Sequence, residues 1–243
     1  QVAAPSADSN VDGLRQYISS YNANGVGTAT AADRVDYDHA APVSGKFNKL
    51  TYMTPVFNGM QMGVSYIPTM NDDGNGTTTT ALTNTTTDYD DGYEAAVRYE
   101  GAYEGVGVTV GAGYGFYQAE NTNVTGATAI TDDAQTWNAG LDLDFAGFGL
   151  GVAYLETESE VASTDVDTET LVVGADYQMG AYKLGVSYLN QDSDQPTTDL
   201  DRWTAGASYS YGPGMSFRGS VSMIDADNNV DSTQVILGTQ VNF

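Results

Sequence analysis

Residues 203–223 read WTAGASYSYGPGMSFRGSVSM. Trp203, Ala205, Ala207, Tyr209 and Tyr211 alternate with Thr204, Gly206, Ser208 and Ser210. Past Pro213 and Gly214 the alternation resumes, with Met215, Phe217, Val221 and Met223 set against Ser216, Arg218, Ser220 and Ser222. Successive side chains on a strand point to opposite faces, so a period of two gives each half one apolar and one polar face. A Pro-Gly pair between two such runs is a tight turn. The stretch reads as an antiparallel hairpin.

The same pattern spreads over most of the chain. In GYEAAVRYE (92–100), Tyr93, Ala95, Val97 and Tyr99 share one face, while Glu94 and Arg98 share the other. In TWNAGLDLDF (136–145), Trp137, Ala139, Leu141, Leu143 and Phe145 oppose Asn138, Asp142 and Asp144. About eleven such segments are predicted, near 46–54, 60–67, 92–100, 104–118, 135–145, 147–156, 168–178, 181–190, 201–211, 214–224 and 233–243. Short connections at 55–59, 102–105, 146–147, 178–181 and 211–214 take turns with long, polar, acidic ones at 68–91, 119–134, 157–168, 191–200 and 225–232. One end of the sheet then carries tight turns and the other carries loops, as in an antiparallel up-and-down meander.

Composition narrows the function classes. The 243 residues carry 32 Asp and Glu against 8 Lys and Arg, a net charge of −24. Nucleic acid is excluded as a partner, because phosphate binding needs a basic footprint. Cysteine is absent, which removes disulfides and thiolate metal sites. His39 is the only histidine, and no nucleophile motif accompanies it, so no catalytic residue is assigned. The glycines of GVGVTVGAGYG (105–115) lie inside a strand and open no helix, so they do not read as a nucleotide loop. No run of about 18 apolar residues offers a membrane helix. Acidic groups such as NDD (71–73), DYDD (88–91) and DADNN (225–229) could take Ca²⁺ in external loops, but none has the loop spacing of a dedicated calcium site. No other cofactor is expected.

The two faces differ in a way that sets their surroundings. The polar parity holds small residues and scattered charges, unlike the Lys- and Glu-rich surface of a soluble protein. The apolar parity is continuous, with Tyr66, Tyr99, Tyr114, Tyr154, Tyr177, Tyr188 and Tyr209 near strand ends. Rings whose bodies sit in hydrocarbon and whose hydroxyls stay wet are what a membrane interface selects. Lys49, Arg98, Lys183, Arg202, Arg218, Glu94, Asp142, Asp144 and Asp176 fall on the polar parity of their strands. A Lys or Arg at the lipid midplane would cost about 2–4 kcal/mol. The expected fold is therefore an all-β, antiparallel up-and-down transmembrane β-barrel, apolar outside and polar within. The alternative is a secreted or surface-attached acidic β protein, an adhesin without a channel.

The phrases KLTYMTPVFNGMQMGVSYIP (49–68), GYEAAVRYEGAYEGVGVTVGAGYG (92–115), WNAGLDLDFAGFGLGVAYLE (137–156) and WTAGASYSYGPGMSFRGSV (203–221) resemble the general-diffusion porins of Gram-negative bacteria, especially the alphaproteobacterial type. STQVILGTQVNF (232–243) resembles the C-terminal signature of outer-membrane barrels, with Phe243 as the insertion signal. The resemblance implies sixteen strands, a homotrimer in the outer membrane with lipid and lipopolysaccharide as neighbours, and passive diffusion of ions and small hydrophilic solutes. It also implies an external loop folded into the pore as a constriction. Counted back from Phe243, the eleven segments would be the last eleven strands. Residues 1–45 would be the constricting loop and 46–243 the barrel strands, with five strands expected before the sequence given. A closed barrel of about twelve strands is the competing count.

On that reading Asp8, Asp12, Asp33, Asp36 and Asp38 supply the acidic side of the constriction, and Lys49, Arg98, Lys183 and Arg218 the opposing basic wall. Glu94, Asp142 and Asp176 are expected as further lumen acids. The charge excess predicts cation preference.

Overall fold

A computed structural model describes residues 48–69, 89–119, 132–161, 164–194, 199–226 and 232–241. These residues form eleven strands: β1 (Leu50–Met53), β2 (Met60–Thr69), β3 (Tyr89–Tyr103), β4 (Val106–Ala119), β5 (Ala134–Phe145), β6 (Phe148–Val161), β7 (Thr164–Met179), β8 (Tyr182–Ser193), β9 (Leu200–Gly212), β10 (Met215–Ala226) and β11 (Ser232–Val241). They lie side by side in chain order in one sheet. Each pairs antiparallel with the next, as in Arg98↔Gly111 and Phe217↔Tyr209. The hairpin predicted at 203–223 is β9–β10.

The tight turns follow from backbone chirality. Asn58-Gly59, Glu104-Gly105 and Ala146-Gly147 each place two consecutive residues at positive φ, between 49° and 87°. That is the mirror-image turn whose twist matches the strands it joins. Gly147 has a second reason to be glycine, since a Cβ there would lie 2.8 Å from the Gln178 carbonyl oxygen.

The strands at the opposite end run further than the apolar pattern does. The long connection predicted over 157–168 is corrected: Glu158 pairs with Asp167 and Ser159 with Val166, so β6 and β7 continue as a ladder almost to their junction. Polar Thr, Ser, Glu and Asp side chains hide the period of two there, while the backbone hydrogen bonds persist. The first predicted strand, 46–54, is shorter in the described residues, spanning Leu50–Met53.

Parity decides exposure. Leu141, Val186 and Phe217 on the apolar face are 36%, 45% and 53% exposed, while Arg98, Lys183 and Arg218 on the other are only partly so. A sheet that curls crowds its concave face, so the polar parity is the inner one. The outer face carries two belts of rings. Tyr66–Tyr93, Trp137–Tyr154 and Tyr188–Trp203 touch near the loop ends, with centroids 4.7–5.3 Å apart. Phe148–Tyr177, Tyr182–Tyr209 and Tyr211–Phe217 touch near the turns, at 4.4–4.7 Å. Between the belts lie Val, Leu and Ala. Such cross-strand ring pairs add about 0.5–1.5 kcal/mol each beyond burial.

Candidate functional site: a charged inner wall

Every Lys and Arg of the described residues has its place on the inner parity: Lys49 at the entrance to β1, Arg98 on β3, Lys183 on β8, Arg202 on β9 and Arg218 on β10. Glu94, Glu100, Asp142, Asp144 and Asp176 share that face. The inner wall is thus balanced, five acids against five bases. Among the described residues, the charged side chains of the outer face beyond the loop-side belt are all acids, including Glu156, Glu169, Asp192, Asp201 and Asp225. Tyr154 donates a hydrogen bond to Glu156 at 2.9 Å, and Tyr188 and Tyr66 donate to Asp201 and Asp91. The belt hydroxyls therefore point away from the apolar band.

Inner charges are tied to one another. Lys183 Nζ lies 3.1 Å from Asp176 Oδ1 on the adjacent strand. Asp176 fits because Gly149 faces it; a Cβ at that glycine would come within 2.7 Å of the carboxylate. Asp142 and Asp144 on β5 complete an acidic patch beside this pair. Ser208 is the cross-strand partner of both Lys183 and Arg218, which makes β8–β10 the basic side. Arg98 Nη2 donates to Glu100 Oε2 at 2.8 Å. Near the loop end, Glu94 accepts from Lys49 at 3.3 Å and from the Tyr117 hydroxyl at 3.0 Å. That contact crosses over β2 from the entrance of β1 to β3, and fixes the carboxylate from both sides.

Of the residues expected to line a pore, Lys49, Arg98, Lys183, Arg218, Glu94, Asp142 and Asp176 share this inner face. Asp8, Asp12, Asp33, Asp36 and Asp38, the proposed 1–45 loop as a whole, and Phe243 lie outside the described residues. Among the described residues no group of three or more His, Cys, Asp or Glu is placed to hold a metal ion.

Two features were missed. Arg202, 2% exposed, was not counted with the wall bases, although its parity was legible. Ala153, Val172, Leu189, Leu200 and Ile224 form an apolar patch on the loop-side half of the inner face. Leu189 and Ile224 are the cross-strand partners of Arg202. The expectation of small and charged inner residues therefore holds for the turn-side half and fails for this one. In VV (172–173) and YL (188–189) both parities are apolar, so alternation does not announce an apolar inner residue there.

The Gram-negative porin family model matches residues 2–229. The anion-selective porin from Comamonas acidovorans superposes with a TM-score of 0.63 at 15% identity, over 81% of this chain and 59% of that one. The OmpF of Salmonella typhi, solved with daunomycin, gives 0.55 at 19% identity, covering 79% and 61%. The trimer form of the Vibrio cholerae outer-membrane protein OmpT gives 0.54 at 13%, covering 89% and 75%. The chain thus spans about three-fifths of the first of these. No curated protein matches it by sequence.

Proposed function

The chain belongs to the Gram-negative porin family of the outer membrane, and we propose on that premise that it forms the wall of a water-filled channel for passive diffusion of ions and small hydrophilic solutes. One observation carries this reading: in the described residues every cation faces inward while Leu141, Val186 and Phe217 face outward. A water-soluble sheet would reverse that arrangement. The channel has no reaction to catalyse. Its sieving of polar solutes depends on the width of and the field across its narrowest section.

The acidic patch of Asp142, Asp144 and Asp176 beside the basic strands β8–β10 is proposed to set up a field along the wall that orients polar solutes. Lys49, Arg98, Lys183 and Arg218 are the proposed basic wall, with Glu94, Asp142 and Asp176 as lumen acids. Asp8, Asp12, Asp33, Asp36 and Asp38 are the proposed acids of the infolded loop. Cation preference is proposed to arise at the channel mouth, because the described wall is balanced and other strand acids among the described residues lie beyond it. Assembly as three chains, with lipopolysaccharide among the outer neighbours, is part of the same proposal.

The test is conductance in planar bilayers with the purified, detergent-folded protein. Stepwise, non-saturating ion conductance and a heat-modifiable gel band are expected. A protein that stays soluble without detergent and adds no conductance would overturn the reading.

A further inference from the structure

We propose that the outer face of β3–β6 holds a resident lipid acyl chain in a pocket floored by Ala112 and Ala139. The pocket is a depression of about 480 Å³ in the apolar band. Its origin is a mismatch of side-chain size between rows. Along one cross-strand row stand Val97, Ala112, Ala139 and Tyr154, with the two alanines directly paired. The next row toward the turns has Tyr99, Val110, Leu141 and Val152. The next row toward the loops has Tyr114 paired with Trp137. Two methyl groups thus sit in a ring of large side chains.

The walls are fixed in place. Trp137 leans on Tyr154 with ring centroids 4.9 Å apart. The Tyr99 ring lies back over Gly101, where a Cβ would come within 2.3 Å of its hydroxyl oxygen. That leaves the space above Val110 and Ala112 open.

The chemistry of the lining selects the occupant. The Tyr154 hydroxyl donates to Glu156 at 2.9 Å and the Tyr114 hydroxyl to Gln135 at 3.0 Å, so both are turned toward the loops. A guest finds hydrocarbon and ring faces, which fits an unbranched methylene chain. The pocket opens on the same band of Val, Leu and Ala that meets the bilayer, so a chain reaches it without leaving lipid. A second copy would present another sheet face, too broad to enter a depression two alanines wide.

Trp137 and Trp203 are the two tryptophans, both in the loop-side belt, and the chain has no cysteine. In proteoliposomes containing mid-chain dibrominated phosphatidylcholine, the Trp203→Phe protein reports on the pocket through Trp137, which stands just outside the lining against Tyr154, and the Trp137→Phe protein on ordinary boundary lipid. Half-maximal quenching of Trp137 is expected at a several-fold lower fraction of brominated lipid than that of Trp203. Filling the floor with Ala112→Leu and Ala139→Leu should bring the Trp137 curve onto the Trp203 curve. Conductance and heat-modifiable migration should be retained. If the double variant does not fold, Ala139→Val should move the curve part of the way. Coincident curves in the unfilled protein, or curves indifferent to filling, would overturn the proposal. So would an interchain disulfide forming readily from Ala112→Cys, which would make a second copy the occupant.

Discussion

Ala146 sits at φ 52°, a left-handed conformation that costs an L-residue with a Cβ roughly 1–2 kcal/mol. The following Gly147, at φ 87°, has no room for a side chain against Gln178. The two positions should respond in opposite directions. Ala146→Gly should stabilise the folded barrel by about 0.5–1 kcal/mol, and Gly147→Ala should destabilise it by more than about 1 kcal/mol. Reversible urea unfolding in lipid vesicles reads both. Charge at single residues is testable the same way. Ser208 faces inward between Lys183 and Arg218, so Ser208→Glu places an acid beside two bases. It should leave stability within about 0.5 kcal/mol and shift the reversal potential in a KCl gradient toward cations.

At the scale of the strand, the two faces of one element meet different solvents. Ala207 and Ser208 are neighbours on β9, yet Ala207 lies in the outer band between Trp203 and Tyr209. Ala207→Lys should cost about 2–4 kcal/mol in vesicles, with little change in the conductance of molecules that do fold. An equal cost for a lysine at Ser208 would mean the faces are not chemically distinct. Strand identity, order and parity were legible in the sequence wherever one parity was consistently apolar, as in GYEAAVRYE and WTAGASYSY. The ends were not. At 157–161 and 164–168 the side chains are polar except for Val161 and Val166, one per strand, too few to mark a face, while the backbone pairing keeps the ladder. The inner apolar patch was hidden for the reverse reason, because Val172 and Leu189 each adjoin an apolar outer neighbour. Wall charges could be assigned to a face from parity alone. Their partnerships could not, since Lys183–Asp176 and Glu94–Lys49 depend on register between strands.

For the whole molecule, the net charge of −24 does not translate into an acidic wall. The described inner face balances, and other strand acids among the described residues lie on the outer collar. Charges at a mouth act through a field that salt screens over about 10 Å at 0.1 M and about 3 Å at 1 M. Cation preference should therefore be clear in dilute KCl and fade toward neutrality at molar KCl. A preference unchanged across that range would place the selective charge at a narrow, desolvated section instead.

The orientation of the sheet underlies every functional statement, and the absence of cysteine allows it to be read residue by residue. Lys183→Cys, Leu184→Cys, Gly185→Cys and Val186→Cys step along β8 from one face to the other. Treated in bilayers with a charged, membrane-impermeant thiol reagent, the proteins with cysteine at 183 and 185 should react and lose part of their conductance. Those with cysteine at 184 and 186 should stay unmodified. Reaction at 184 and 186 with protection at 183 and 185 would contradict the account.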